Sequence, residues 1–288
     1  MKKRLAFAIS VATLSAANMA LADQGNVLAG RMGLSGGTAI MNTNQDESGR
    51  PMTYEGNAAT SIPLSDSLSV QLNLDGAMFA EQVQGDEYRP MSRVMMSSHL
   101  SYRRADSWLA GVFAGVGRGS SGDQSTDASG IGKVGGVEAM SFLGNATLYA
   151  QVYYANFKVD DTEEEVEGIF GSLAGRYFLA DDTMVELGLG MGSSARYIDG
   201  DDRGDFTSLS LKAKHRIAKN SPLYATLQYR TAKFDATSEG DIGYEQSVLI
   251  GIEILMGAGS LKHNDRRGAT LDTPILPAQA AAWIPELD

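Results

Sequence analysis

The stretch SSHLS contains two side chains that together could hydrolyse an ester, because His99 precedes Ser101 by two positions. A serine hydroxyl becomes a nucleophile when a histidine accepts its proton and a third group orients that histidine. Residues two apart point to the same side of an extended chain. The stretch has no clear asparagine nearby for the orienting role, so the position of the pair in the fold must decide whether it can act.

A second stretch, LSLKAKHRI at 209–217, suggests a charged wall. Apolar or weakly polar residues alternate there with Lys212, Lys214 and Arg216. A period of two residues predicts a β-strand, since successive side chains point to opposite faces. In a soluble protein the cations would face the solvent and the leucines the core. In a membrane protein the cations would face a water-filled interior and the leucines lipid. The rest of the chain must decide between the two.

Several other kinds of site are excluded or disfavoured by the sequence. The 288 residues include no cysteine, so no disulfide, thiolate metal site or cysteine nucleophile can form. No phosphate-binding loop, dinucleotide fingerprint or zinc motif occurs. The acidic stretch DGDDRGD lacks the twelfth-position glutamate of a calcium loop. The formal net charge of −11, without a basic tail, disfavours nucleic acid. We therefore expect no cofactor, no metal site and no nucleic-acid partner.

Residues 1–22 predict a secretory signal peptide. Lys2, Lys3 and Arg4 form a cationic start, an apolar run covers 5–14, and Ala-Leu-Ala at 20–22 is a small-x-small cleavage site. A membrane-anchoring helix is the alternative, but the apolar run is shorter than the roughly 20 residues that a span requires.

The rest of the chain alternates in polarity along a regular series of segments. We predict twelve strands, at 26–40, 53–64, 68–81, 92–104, 108–118, 131–143, 146–158, 166–179, 183–198, 206–217, 223–234 and 243–256. Most cover about 11 to 15 residues, longer than the roughly 5 or 6 of soluble strands and enough to cross a bilayer at a tilt.

The connections between these segments fall into two classes that take turns along the chain. Tight turns such as SDS at 65–67 and GN at 144–145 follow the even-numbered segments, and longer polar loops follow the odd-numbered ones. This rhythm predicts an antiparallel up-and-down β-barrel, since transmembrane barrels have short periplasmic turns and longer extracellular loops. An even strand number also returns the chain to the periplasmic side.

With its signal ending in ALA, its repeats such as TMVELGLGMGSSARY and its turn-loop rhythm, the sequence resembles the porin-like outer-membrane β-barrel channels of Gram-negative bacteria. The resemblance covers residues 23–257 and implies an all-β transmembrane barrel in the cell outer membrane. It also implies contact with membrane lipid and lipopolysaccharide, and periplasmic chaperones and the barrel assembly machinery as partners during biogenesis.

The segment 258–288 departs from this family, many of whose members end in a strand with a terminal aromatic residue. Here about 30 residues follow the last predicted strand. We expect a periplasmic extension, with packing into the barrel lumen as the alternative.

In such a barrel the apolar faces must point to lipid and the polar faces to the lumen. Residues such as Leu100, Leu187 and Ile250 are predicted to face lipid, with Tyr54, Trp108, Tyr177, Tyr197 and Tyr229 in interfacial girdles. The predicted pore-lining residues are Arg93, Arg103, Arg176, Glu186, Arg196, Lys212, Lys214, Arg216, Arg230 and Glu253. These cations either attract anionic solutes or only balance neighbouring acids.

The same alternation places His99 in the lumen, on the face of Arg93, Ser97 and Arg103. The His-x-Ser spacing resembles that of outer-membrane phospholipase A and the lipid A deacylases, but those enzymes present the pair to lipid. The sequence therefore favours a non-enzymatic, passive diffusion channel for small hydrophilic, including anionic, solutes. A lipid hydrolase that uses His99 and Ser101, and a structural or adhesive barrel without an open pore, are the alternatives.

Overall fold

The computed structural model describes residues 28–43, 52–82, 88–104, 106–122, 127–160, 165–197, 201–236 and 241–274, so the predicted signal peptide lies outside the described residues. The strands are Ala29–Thr43 (β1), Met52–Pro63 (β2), Leu68–Gln82 (β3), Tyr88–Arg104 (β4), Trp108–Gly122 (β5), Asp127–Leu143 (β6), Ala146–Val159 (β7), Glu165–Ala180 (β8), Thr183–Tyr197 (β9), Asp201–Arg216 (β10), Leu223–Ala236 (β11) and Asp241–Met256 (β12). One short helix, Leu261–Arg267 (α1), follows β12. None of the described helical structure is long and apolar enough to cross a membrane.

The twelve strands form one closed antiparallel barrel, which confirms the predicted fold class. Each strand pairs with its neighbours in sequence, and β1 pairs with β12 from Gly30 opposite Met256 to Thr43 opposite Gly243. Closure gives every strand a partner on both sides, so no edge amides or carbonyls face lipid. Several strands extend beyond the predicted segments at the loop end, because the hydrogen-bonded ladder continues past the apolar stretch that marks a strand in the sequence.

The tight turns lie together at one end of the barrel, here called the short-turn end. Gly144, Asp106 and Asn220 have positive φ values of 60°, 61° and 64° in three of these turns. Such turn conformations suit glycine and asparagine, and aspartate to a lesser degree. At the opposite loop end, much of each longer connection lies outside the described residues.

The outer face of the barrel is apolar around its circumference. Ile250, Ile169 and Met191 are 68%, 67% and 62% exposed, which is unfavourable in water and suits lipid. Tyr54, Trp108, Tyr177 and Tyr229 are also exposed on this face. The side chain of Tyr197 lies outside the described residues. His215 points outward near the short-turn end, where its Nδ1 lies 2.9 Å from Thr183 Oγ1.

Candidate functional site in the barrel lumen

The lumen collects nearly all of the charged residues that the sequence assigned to it. Nine of the predicted pore-lining residues lie on the inner face: Arg93, Arg103, Arg176, Glu186, Lys212, Lys214, Arg216, Arg230 and Glu253. The side chain of Arg196 lies outside the described residues. Whether these side chains line an open passage stays a prediction.

The lumen also contains part of the chain itself. After β12 the chain turns at Gly257, with a φ of 71°, and residues 258–274 lie at and inside the short-turn end; we call them the lumenal segment. Ser260 caps α1 by accepting the His263 N–H at 3.1 Å, and Leu261 packs beside Phe178 and Met184. For this part of 258–288, the structure agrees with packing into the lumen and not with the periplasmic extension; residues 275–288 lie outside the described residues.

Helix α1 covers the mouth of the barrel by bonding to the turns. The Lys262 N–H donates to the Asp181 carbonyl at 3.0 Å, and Lys262 Nζ donates to Asn145 Oδ1 at 2.7 Å. Arg266 donates to the Gly144 carbonyl at 2.7 Å. The helix is thus fixed to two different turns of the rim.

Beyond α1 the chain enters the lumen, where polar side chains of the wall satisfy its backbone. The Leu271 carbonyl accepts hydrogen bonds from Gln71 Nε2 at 2.6 Å, Asn73 Nδ2 at 3.1 Å and Arg31 Nη2 at 3.0 Å. The Leu271 N–H donates to Gln71 Oε1 at 3.1 Å. The Leu271 side chain is fully buried in a cluster with Leu109, Met140, Phe142 and Tyr149. The wall therefore satisfies the backbone of Leu271 by hydrogen bonds and buries its side chain in an apolar cluster.

Two carboxylates of the lumenal segment are bound by arginines of the wall. Arg176 Nη1 donates to Asp265 Oδ1 at 2.9 Å, and its Nη2 pairs with Asp272 Oδ2. Arg31 Nη2 reaches Asp272 Oδ1 at 3.1 Å. Burial raises the pKa of the Asp272 carboxyl, but the positive charges of Arg176 and Arg31 lower it more, so the net pKa lies well below its usual value. Asp272 is therefore held as a carboxylate.

The cationic stripe that the sequence singled out is paired with wall carboxylates. Lys214 Nζ lies 2.8 Å from both oxygens of Glu253, and Lys212 Nζ lies 3.4 Å from Glu186 Oε1. Arg230 Nη2 reaches a glutamate of β12, Glu245, at 2.9 Å. These three cations are thus paired with acids, and whether they also attract anionic solutes stays a prediction.

A small cavity of about 30 Å³ lies between the lumenal segment and the charged wall, beside their ion pairs. Arg31, Arg176, Lys212 and Lys214 line it on the wall side, and Asp265 and Asp272 on the side of the segment. A space of this size and polarity suits one or two water molecules.

His99 and Ser101, the pair considered above as the alternative hydrolytic site, have other hydrogen-bond partners. His99 and Ser101 are fully buried on the inner face, and Ser101 Oγ lies 3.0 Å from Ser69 Oγ. His99 Nε2 lies instead 3.0 Å from Ser97 Oγ, and also accepts from Asn73 Nδ2 at 3.2 Å.

Sequence reasoning missed the carboxylate that orients His99. Glu138, on β6, reaches across β5 and lies 2.9 Å from His99 Nδ1. This reach depends on Gly111, since a Cβ there would lie 3.1 Å from Glu138 Oε1. Tyr149 Oη donates to Glu138 at 2.6 Å and accepts the Asp272 N–H at 3.3 Å. Because this buried network ends on the lumenal segment and Ser97 is itself buried, we interpret it as part of the wall that holds the segment.

The part of the chain that the structure describes contains no group of three or more His, Asp or Glu side chains arranged to hold a metal ion.

Comparison with known proteins identifies the fold. No protein-family profile and no curated protein sequence matches the chain. The COG4313 outer membrane channel from Pseudomonas putida F1 is similar in structure, with a TM-score of 0.55, 13% sequence identity, and coverage of 80% of this chain and 96% of that chain. The translocator domain of the autotransporter NalP from Neisseria meningitidis has a TM-score of 0.51 and 10% identity, covering 86% of this chain and 96% of that chain. The closed twelve-stranded barrel with its apolar outer face thus has the fold of these outer-membrane β-barrel proteins, the fold that the sequence resemblance implied.

Proposed function

We propose that this protein is an outer-membrane channel for small hydrophilic solutes, with a preference for anions. The observation that carries the proposal is the polarity of the inner wall, where cations outnumber carboxylates among the described side chains. The wall cations are Arg31, Arg93, Arg103, Arg176, Lys212, Lys214, Arg216 and Arg230, and the carboxylates on the same side are Glu55, Asp75, Glu138, Asp182, Glu186, Glu245 and Glu253. Asp265 and Asp272 of the lumenal segment offset this excess around the cavity, so the proposed attraction for anions applies where a solute meets the wall itself.

The lumenal segment sets the width of the proposed passage at the short-turn end. In this proposal solutes cross beside the charged wall of β1, β8–β10 and β12, where a water-sized cavity lies between wall and segment. Ion pairs along this wall, such as Lys214 with Glu253, can exchange a partner for a passing ion. The similar structure from Pseudomonas putida is described as an outer membrane channel, which supports a channel here at the level of the fold.

Single-channel recording in planar bilayers tests the proposal. The full chain is expected to conduct and to favour anions, and Lys212→Glu combined with Lys214→Glu is expected to shift the reversal potential towards cation selectivity. Lys133→Glu with Lys158→Glu is the matched control, because these two lysines are exposed on the outer face. All variants are first checked for folding by their heat-dependent gel mobility.

Two results would contradict the proposal in different ways. Absence of conductance at any protein dose would favour a barrel without an open pore. Conductance with the same ion selectivity in all three proteins would mean that Lys212 and Lys214 lie off the conducting path.

A further inference from the structure

The wall beside the cavity carries an excess of positive charge that the lumenal segment cancels. Four cations line the cavity there, namely Arg31, Arg176, Lys212 and Lys214, whereas its wall carboxylates are Glu186 and Glu253. The segment contributes Asp265 and Asp272, which make the two signs equal. Uncompensated charge in a poorly solvated site is costly. A state in which the segment leaves therefore favours anions in its place.

Asp272 marks where such an anion binds. Arg31 from β1 and Arg176 from β8 approach its two carboxylate oxygens separately. Arginine is well suited to carboxylates, because its planar donors match the oxygen lone pairs. The two arginine side chains are 15% and 5% exposed, so they are largely preorganised by packing. The Asp272 carboxylate is 31% exposed, which leaves it open to the cavity.

We propose that Arg31 and Arg176 form a binding site for carboxylate solutes, and that Asp272 occupies this site as an internal ligand. Beyond its Cα atom the Asp272 side chain is a methylene and a carboxylate, the shape of acetate. Small organic acids are thus the solute class that the site takes. The inference rests on the proposed channel function, since a channel is what brings solutes to the lumen.

A free carboxylate must compete with a tethered one. The covalent link gives Asp272 a high effective concentration at the arginines, so the native chain is expected to bind acetate weakly. Removal of the Asp272 carboxylate removes this competition and leaves space at the arginines for the carboxylate of acetate, with its methyl group towards the cavity. Acetate should therefore have opposite effects on the two proteins. In the native protein it competes with Asp272 and favours opening of the lumenal segment. In the variant it replaces the missing carboxylate and stabilises the docked segment.

Labelling of a single cysteine measures both effects. The chain has no native cysteine, and Ala269 in the lumenal segment is fully buried, so Ala269→Cys reports opening of the segment. The full chain in detergent is compared with Asp272→Ala, each carrying this reporter, in acetate, acetamide or sodium chloride. Asp66→Ala, in the exposed turn between β2 and β3, is the matched loss of one carboxylate.

In Asp272→Ala, acetate is expected to bind the docked state more tightly than the open state, because the docked segment encloses the arginines; at ten times its dissociation constant for the docked state it should slow labelling by up to about tenfold. In the native protein and in Asp66→Ala, acetate is expected to speed labelling relative to acetamide and chloride. Adding Arg31→Gln to Asp272→Ala should abolish the protection. If Asp272→Ala does not fold, the native comparison alone decides.

Equal labelling in acetate, acetamide and chloride would overturn the site. The assay needs no conduction, so the two proposals fail separately. If the protein shows the acetate effects but no conductance, the binding site is supported and the channel function is contradicted. If the protein conducts but shows no acetate effects, the channel function is supported and the carboxylate site is contradicted.

Discussion

Arg176 is predicted to be the main electrostatic support of the lumenal segment. It is 5% exposed and pairs with Glu186 at 2.7 Å, with Asp265 at 2.9 Å and with Asp272. Its guanidinium also lies over the Tyr149 ring, 5.3 Å from the centroid. We therefore choose Arg176→Met, which keeps an apolar side chain of similar length against the ring and removes the charge.

The expected magnitude follows from the burial of these groups. Removing one partner of a buried ion pair costs about 3 to 5 kcal/mol, because the other charge is left without a partner. Asp272 is 31% exposed, and Lys212 still faces Glu186 at 3.4 Å, so the lower end of that range applies. A cost of about 3 kcal/mol in the free energy of docking raises the open fraction about 100-fold, at 1.4 kcal/mol for each factor of ten.

The Ala269→Cys reporter provides the assay. When the segment closes faster than the reagent reacts, the labelling rate follows the open population. Arg176→Met is thus expected to label about 100-fold faster than the native background. Arg104→Met, at an exposed position at the short-turn end of β4, should label at the native rate. A change of less than about threefold in Arg176→Met, with circular dichroism showing an intact barrel, would refute the assignment of Arg176 as the support.

Two further predictions concern acidity and strand pairing. Because the arginines lower the pKa of Asp272 in the docked segment, its stabilisation is complete above its usual pKa of about 3.9 and is lost as the pH falls through the lowered value. The Ala269→Cys reporter can be labelled with a disulfide reagent that reacts in acid, and each rate is compared with that of the unfolded chain. Labelling should accelerate below about pH 4 in the native chain and much less in Asp272→Asn. Equal acceleration in both would exclude Asp272 as the titrating group. Gly37→Ala should destabilise the pairing of β1 with β12, because the added Cβ would lie 1.8 Å from the Val248 carbonyl oxygen. Extra atoms in a packed site typically cost roughly 1 to 3 kcal/mol, and we expect at least this loss of stability. Gly135→Ala, where the nearest atom is 3.8 Å away, is the control, and equal heat-dependent gel mobility of the two variants would contradict the steric argument.

The structure also bears on the chemistry that the spacing of His99 and Ser101 suggested. The alternation along β4 correctly placed both side chains inside the barrel. Two hydrogen-bond partners of His99 could not be predicted, because Asn73 and Glu138 lie 26 and 39 positions away from it on other strands. The spacing in the sequence was therefore sound evidence for a shared face and weak evidence for contact.

The sequence alone was enough to predict the barrel. Its strand period, turn residues and alternation of short and long connections are local properties, because each depends on side chains within a few positions of one another. Twelve segments with this rhythm leave few ways to satisfy the backbone in lipid other than closure. The inner and outer faces followed from the same period, which is why nine predicted lumen residues lie on the inner face.

Tertiary structure decided what fills the lumen. The contacts of the lumenal segment join residues as far apart as Arg31 and Asp272, separated by 241 positions. These contacts depend on the registers of several strands at once, and a shift of one residue would turn Gln71, Arg176 and Arg31 to lipid. The sequence therefore determined which side chains face inward, and closure of the barrel determined that they meet the chain's own segment there.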